Sequence, residues 1–200
     1  MKFLELNKKR HAYKSFNDQP VDIKDVRTAI EIATLAPSAN NIQSWKFVIV
    51  KDRKNDLIPL AYGANGAQIE SAQVVVALFS DTDLEKRSRK IARVGVKDLP
   101  QEFLEHFIKV LPMRFAAFDA QTKGEYLSIN AGMVAMNFVL ALTDQKMASN
   151  VLQGFDKSKV NEVLDIDTRF RPELLFTIGY SDVHPDPSYR LPVDEIIEIR

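Results

Sequence analysis

The 200-residue sequence has no cysteine, which excludes disulfides, thiolate metal ligands and cysteine nucleophiles and fits a reducing compartment. It has no net charge either, because Lys plus Arg and Asp plus Glu number 27 each. No overall field draws the chain to nucleic acid or to an anionic membrane. Its three histidines, His11, His106 and His184, are scattered and form no H-x-x-x-H or H-E-x-x-H pair, so a metal site is not expected. There is no G-x-G-x-x-G, no Walker loop and no G-x-S-x-G elbow, which removes the glycine-rich phosphate cradles and the serine-hydrolase signature. The longest nearly uncharged apolar segment, Ile129 to Leu142, falls short of the roughly 20 residues that span a bilayer. Residues 1–10 contain no apolar run of signal-peptide length. These absences imply a cytoplasmic protein without a membrane or nucleic-acid partner. If it is an enzyme, a cofactor carries the chemistry.

What is present is the composition of a folded protein, 46% hydrophobic and 27% charged, at a length suited to one domain over residues 1–200. A short helical pattern at Phe3, Leu4 and Leu6 leads into the basic cluster Lys8 to Lys14. Asp22 caps a helix over about 22–35, with Ile23, Val26, Ile30 and Ala33 spaced at three and four. Trp45 to Val50 is aromatic and β-branched and predicts a strand, with Trp45 a core aromatic at its start. Residues 53–72 mix helix and loop, with a turn at Gly63 to Gly66. Gln73 to Phe79 is a continuous apolar run, the pattern of a strand covered on both faces. Leu84 to Phe118 mixes charge and apolar residues at helical spacing, broken at Pro100 and Pro112. Tyr126 to Leu142 is apolar on nearly all sides, which predicts a helix enclosed by the core and by a subunit contact. Strands are expected at Ala148 to Leu152 and Leu174 to Tyr180, with a helix capped by Asp156 at 157–164. The proline-bearing tail 185–192 should be extended, with an edge strand as one reading of Val193 to Ile199. About four strands interleaved with helices give an α/β or α+β class with one mixed sheet.

Two stretches are open to a functional reading. Pro37 to Trp45 sets Ser38, Asn40, Asn41 and Gln43 between an amphipathic helix and an apolar strand. It is either an ordinary helix stop and turn or a surface for a neutral polar ligand. The basic cluster is a solvated helix end, a nucleic-acid contact or an anion site. On a helical turn Arg10 and Lys14, four apart, would face one way.

Four motifs in register turn these stretches into a pattern: Arg10-His11-Ala12-Tyr13-Lys14-Ser15-Phe16, Ala36-Pro37-Ser38-Ala39-Asn40-Asn41-Ile42-Gln43-Ser44-Trp45, Gln153-Gly154-Phe155 and Tyr189-Arg190-Leu191-Pro192. Together they resemble the nitroreductase family over essentially the whole chain. The resemblance implies an α+β fold, a central mixed, mostly antiparallel β-sheet flanked by helices, in an interlocked homodimer with FMN at each interface. It implies that Arg10 and Arg190 hold the FMN phosphate, where a guanidinium can form paired charge-assisted bonds, and that His11 and Ala12 also belong to the cofactor site. Lys14 would stand at the N1/O2 edge of the flavin and stabilise the charge of the reduced ring. Ser38, Ala39 and Asn41 would contact the flavin from the partner subunit, Asn65 and Gln68 would meet its pyrimidine side, and Gln153 and Gly154 would form the turn near N5. Ala12, Ser44, Gln153 and Ser188 stand where serine, proline, glutamate and a basic residue are common in the family, and the last of these weakens the phosphate grip.

The implied activity is reduction of flat, electron-poor acceptors such as nitroarenes or quinones with NADH or NADPH, donor and acceptor using one place in turn. Alternatives within the same fold are dehalogenation, peptide dehydrogenation and flavin fragmentation. Outside it, the chain could be a non-enzymatic module binding an anion through Lys8 to Lys14. Phe16, Phe115 and Phe118 could line a substrate site or simply pack in the core.

Overall fold

A computed structural model describes residues 2–95 and 100–200. Four strands, β1 (Trp45–Val50), β2 (Val74–Asp81), β3 (Ala148–Leu152) and β4 (Phe170–Gly179), form one sheet in the order β1-β2-β4-β3. All three pairings are antiparallel, so the expected antiparallel character holds and no parallel pair occurs among the described residues. The class is α+β. The helices are α1 (Phe3–Lys9), α2 (Ile23–Ala33), α3 (Asn65–Ser71), α4 (Leu84–Val94), α5 (Gln101–Glu105), α6 (Leu111–Ala116), α7 (Ala120–Asp144) and α8 (Lys157–Leu164).

The central strand dictates the layering. Every residue of β2 is buried, and its side chains alternate between two cores as strand geometry requires. Val74, Val76 and Leu78 meet α2 and α7 through Val26, Ala29, Ala33, Val134, Phe138 and Leu142. Val75, Ala77 and Phe79 meet Leu57, Leu60, Ile69 and Val160 on the opposite face. Phe138 stacks edge-on against Phe47 at 5.4 Å and Phe176 at 5.0 Å, the geometry aromatic quadrupoles favour. Trp45 is buried in the first core, as expected. A third cluster joins α4, α6 and the start of α7, and it includes Ile42, which is fully buried.

Local chemistry sets the boundaries. Asp22 accepts from the Lys24 amide at 2.8 Å, Asp119 from Thr122 at 2.7 Å and Asp156 from Ser158 at 3.0 Å, each satisfying a donor at a helix start. Helix α7 begins at Ala120, six residues before the apolar run announces it, because Asp119 caps it there. Strand β4 starts at Phe170 rather than near Leu174. Its first residues carry charge and Pro172, which lies beside a register shift opposite Leu78 and Phe79, where a missing N–H is tolerated.

Two expectations change. Helix α1 ends at Lys9 and Arg10 is extended, with φ −72° and ψ 117°, so Arg10 and Lys14 do not share a helical face. The tail from Val193 forms a short 3-10 turn at Val193–Glu195 and no strand. Helix α7, expected to be enclosed by the core and a subunit contact together, leaves one face open in the single chain: Ile129 is 65% exposed and Met136 43%. These two and Gly132 form a stripe at helical spacing. By length and composition α7 could cross a membrane, but ten of its side chains are buried in this fold. Of the mixed stretch 84–118, residues 96–99 lie outside the described residues.

Candidate functional site

The edge strand β3 gathers one set of candidate residues. The Tyr13 amide donates to Ser149 O at 3.1 Å, which lays the segment after Arg10 beside the strand. One residue on, Asn150 Nδ2 donates to Gln68 Oε1 at 2.6 Å, and Gln68 is buried. Gln68 Nε2 donates to Asn65 Oδ1 at 3.3 Å, and Asn65 Nδ2 donates to Gly154 O at 2.9 Å, closing a polar corner from α3 to the end of β3. A Cβ at Gly154 would lie 2.9 Å from Asn65 Nδ2, so a larger residue would push that carboxamide off its carbonyl. Gln153 is exposed beside it.

Arg10 is half-buried and forms no ion pair among the described residues. His11 Nδ1 is buried without a hydrogen-bond partner. Ala12 and Lys14 line a groove of about 210 Å³ with His184 and Asp186. Lys14 Nζ lies 2.9 Å from Asp186 Oδ2. That hydrogen bond, with the ammonium charge, holds the Asp186 carboxyl below its ordinary range. Arg190 lies in the exposed tail, its guanidinium donating to Tyr189 O at 2.7 Å. No hydrogen bond or ion pair among the described residues joins it to Arg10.

The loop Ser38–Gln43 occupies a different part of the molecule. It feeds β1, the edge opposite β3. Asn40, Asn41 and Gln43 all have positive φ, at 55°, 49° and 46°, a region where Asn is tolerated and bulky residues are strained. Two groups from α7 and one from the loop itself hold this shape. Asn130 Oδ1 accepts from the Ala39 amide at 2.7 Å, Tyr126 Oη donates to Ala39 O at 2.7 Å, and Ser38 Oγ accepts from the Gln43 amide at 3.0 Å. Burial pushes the Tyr126 phenol up. Arg87 donates through Nε to Ile42 O at 3.4 Å and through Nη2 to Gln43 O. Beneath it, Arg169 clamps the buried Asp81 with two bonds of 2.6 and 2.5 Å, and the Asp81 amide donates to Ser44 O at 2.6 Å. The bond to Asp81 raises the pKa of Arg169, while burial lowers that of Arg87. The side chain of Asn41 remains exposed.

Asn130, Tyr126, Arg87 and Asn150 do not stand out in the sequence. The one local signal is Asn130, a polar residue within an apolar helical run. Phe115 and Phe118 stack edge-on with each other and with Tyr126 at 5.4 to 5.7 Å. Phe16 packs where Gly179 has no side chain.

The arrangement of these elements agrees with a match to the sequence profile of the Nitroreductase family over residues 8–180. The chain belongs to the nitroreductase family. A Streptococcus pyogenes serotype M6 protein provisionally named an NAD(P)H nitroreductase is 68% identical over 200 residues, covering 100% of both chains. The crystal structure of a nitroreductase family protein from Streptococcus pneumoniae TIGR4 superposes with a TM-score of 0.97 at 64% identity, again over 100% of both chains. An Exiguobacterium sibiricum protein provisionally named a nitroreductase, solved in complex with FMN, gives a TM-score of 0.92 at 25% identity, covering 100% of this chain and 98% of that one.

Proposed function

We propose that the protein is a cytoplasmic FMN-dependent oxidoreductase that takes reducing equivalents from NADH or NADPH and passes them to flat, electron-poor acceptors such as nitroarenes or quinones. Residues 1–200 act as one FMN-binding domain within a homodimer. The observation that carries this reading is the split of the family-matched residues between opposite sheet edges. Arg10 to Lys14, Asn65, Gln68 and Gly154 attend β3, while Ser38 to Asn41 attend β1. A second copy supplies the missing half, and the exposed stripe Ile129, Gly132 and Met136 on α7 offers an apolar surface for it.

The residues fit FMN chemically. Arg10 supplies a guanidinium for the phosphate, next to the unpartnered His11 Nδ1. The linked carboxamides of Asn65 and Gln68 retain donors and acceptors for a pyrimidine edge. The close approach at Gly154 keeps side-chain bulk away from the turn. FMN, when bound, supplies the two-electron chemistry, with donor and acceptor served in turn. The protein holds the phosphate, orients the ring through the polar corner and presents the left-handed loop of the partner subunit as a fixed wall. Lys14 brings positive charge to the same side once released from Asp186.

The decisive experiment is flavin absorbance after addition of FMN, followed by NAD(P)H oxidation with a nitroarene or quinone measured beside a halogenated phenol. Bound flavin and turnover of the nitroarene or quinone are expected. A colourless protein that takes up no FMN, or a strict monomer in sedimentation, would sink the proposal. Turnover of the halogenated phenol alone would move it to the dehalogenating alternative.

A further inference from the structure

The zero net charge of the chain conceals a strong local imbalance. Helix α4 buries Leu84, Ser88, Ile91 and Ala92, and its other positions are largely cationic. Lys86, Arg87, Arg89, Lys90 and Arg93, joined by Arg169 from the start of β4, line a groove of about 500 Å³. Four carboxylates stand close by, and each has a partner, Asp167 accepting from the Arg169 amide at 2.8 Å. Asp81 is clamped by Arg169, Asp83 caps α4 through the Lys86 amide at 2.9 Å, and Glu85 lies 3.8 Å from Arg89 on the exposed rim. Lys86, Lys90 and Arg93 form no ion pair among the described residues. Six cations against four carboxylates attract an anion, and guanidinium groups beside ammonium groups suit phosphate oxygens.

The floor of the groove is fixed and its rim is free. Arg169 is held by two bonds to Asp81, and Arg87 is tied to the Ile42 and Gln43 carbonyls. Through Arg87 the groove abuts the loop that carries Asn41, the proposed flavin contact one residue before Ile42. We propose that this groove binds the phosphates of the dinucleotide donor, so that its nicotinamide end reaches the flavin met by the same loop, and that it favours NADPH over NADH. This rests on the reductase reading above and adds a donor site on α4. The extra phosphate monoester of NADPH gives the groove up to about two more negative charges, spread over three acceptor oxygens.

The test uses the FMN-loaded protein and the triple variant Arg89→Ala, Lys90→Ala, Arg93→Ala, all rim positions that do not brace the loop, with Lys51→Ala as a charge control at the far end of β1. The KM for NADPH should rise by about tenfold or more in the triple variant, while kcat, acceptor KM and FMN retention hold. The KM for NADH should change less. Calorimetry with adenosine 2′,5′-bisphosphate, which requires no turnover, should show binding to the parent protein and loss of it in the triple variant. An unchanged KM for NADPH overturns the assignment. So does a groove that binds inorganic phosphate as tightly as the bisphosphate, because its phosphate then comes from another source. A protein that oxidises neither dinucleotide defeats the reductase reading, whereas loss of bisphosphate binding in the triple variant still upholds the groove.

Discussion

The loop Ser38–Gln43 and the corner formed by Asn65, Gln68, Asn150 and Gly154 are both polar and both proposed to meet the same flavin, yet they are held in opposite ways. Bonds to Asn130, Tyr126 and Arg87, far away in sequence, brace the loop from outside. Its Asn41 side chain is exposed, with Oδ1 accepting from Gln43 Nε2 at 3.1 Å within the loop. The corner braces itself, spending its carboxamides on one another and on Gly154 O, with Gln68 buried at the centre. A binding surface made rigid from behind can lose a contact group without losing its shape. One that supports itself cannot, so folding and binding are coupled there.

That contrast can be broken most severely from behind the loop. Asn130→Leu leaves the Ala39 amide and the Tyr126 carbonyl without their carboxamide partner in a fully buried position. A loss of about 2–3 kcal/mol is expected in urea unfolding, together with FMN release, although Asn130 is proposed to touch no flavin. Gln68→Leu strikes the corner directly and should cost about 1–2 kcal/mol and weaken FMN by about tenfold in the same protein. If stability and FMN affinity separated in that variant, the corner would not be self-supporting. Asn41→Gly removes a proposed contact while keeping a residue at ease with positive φ. Stability should stay within about 0.5 kcal/mol, with FMN retention reduced several-fold. An unchanged flavin off-rate would remove Asn41 from the site.

The smallest effect is one of pH. The Asp119 carboxyl is held below its ordinary range, first by the Thr122 amide and then by the Thr122 hydroxyl. A depressed carboxylate stabilises the fold above its unfolded value near 3.9, and that contribution fades as pH falls through the lower folded value. Asp119 caps α7, which carries the loop's braces Tyr126 and Asn130. Protection of the Ala39 amide against hydrogen exchange, taken relative to its intrinsic rate at each pH, should therefore fall below about pH 4 before that of the Tyr62 amide, which donates to Gly154 O. Asp119→Asn should flatten that difference.

Much of this was legible from local pattern. Strands β1, β2 and β3, helix α2 and the Asp156 cap of α8 follow from side-chain periodicity and capping, because those signals lie within a few residues of the structure they cause. The early start of β4 was hidden by Arg171, Pro172 and Glu173, whose charges are neutralised only after folding: Arg171 reaches Glu173 at 2.6 Å and the Gly124 carbonyl at 3.0 Å. The three left-handed residues of the loop were not legible, since Asn and Gln adopt many turns and the groups that select this one sit 44 to 91 positions away. The grouping of Arg10 with Lys14 failed because the helix ends at Lys9. The apolar breadth of α7 pointed to enclosure, but only part of that enclosure lies within one chain.

The left-handed backbone of the loop also restricts the alphabet open to directed evolution. At Asn40 and Asn41, with φ of 55° and 49°, β-branched and bulky residues meet their own carbonyls, at roughly 1–2 kcal/mol per residue. A saturation library there would be thinned to glycine, asparagine and aspartate before any selection for activity began. Variation meant to reshape this wall of the pocket is better placed at Ala39, which is exposed and outside the left-handed region.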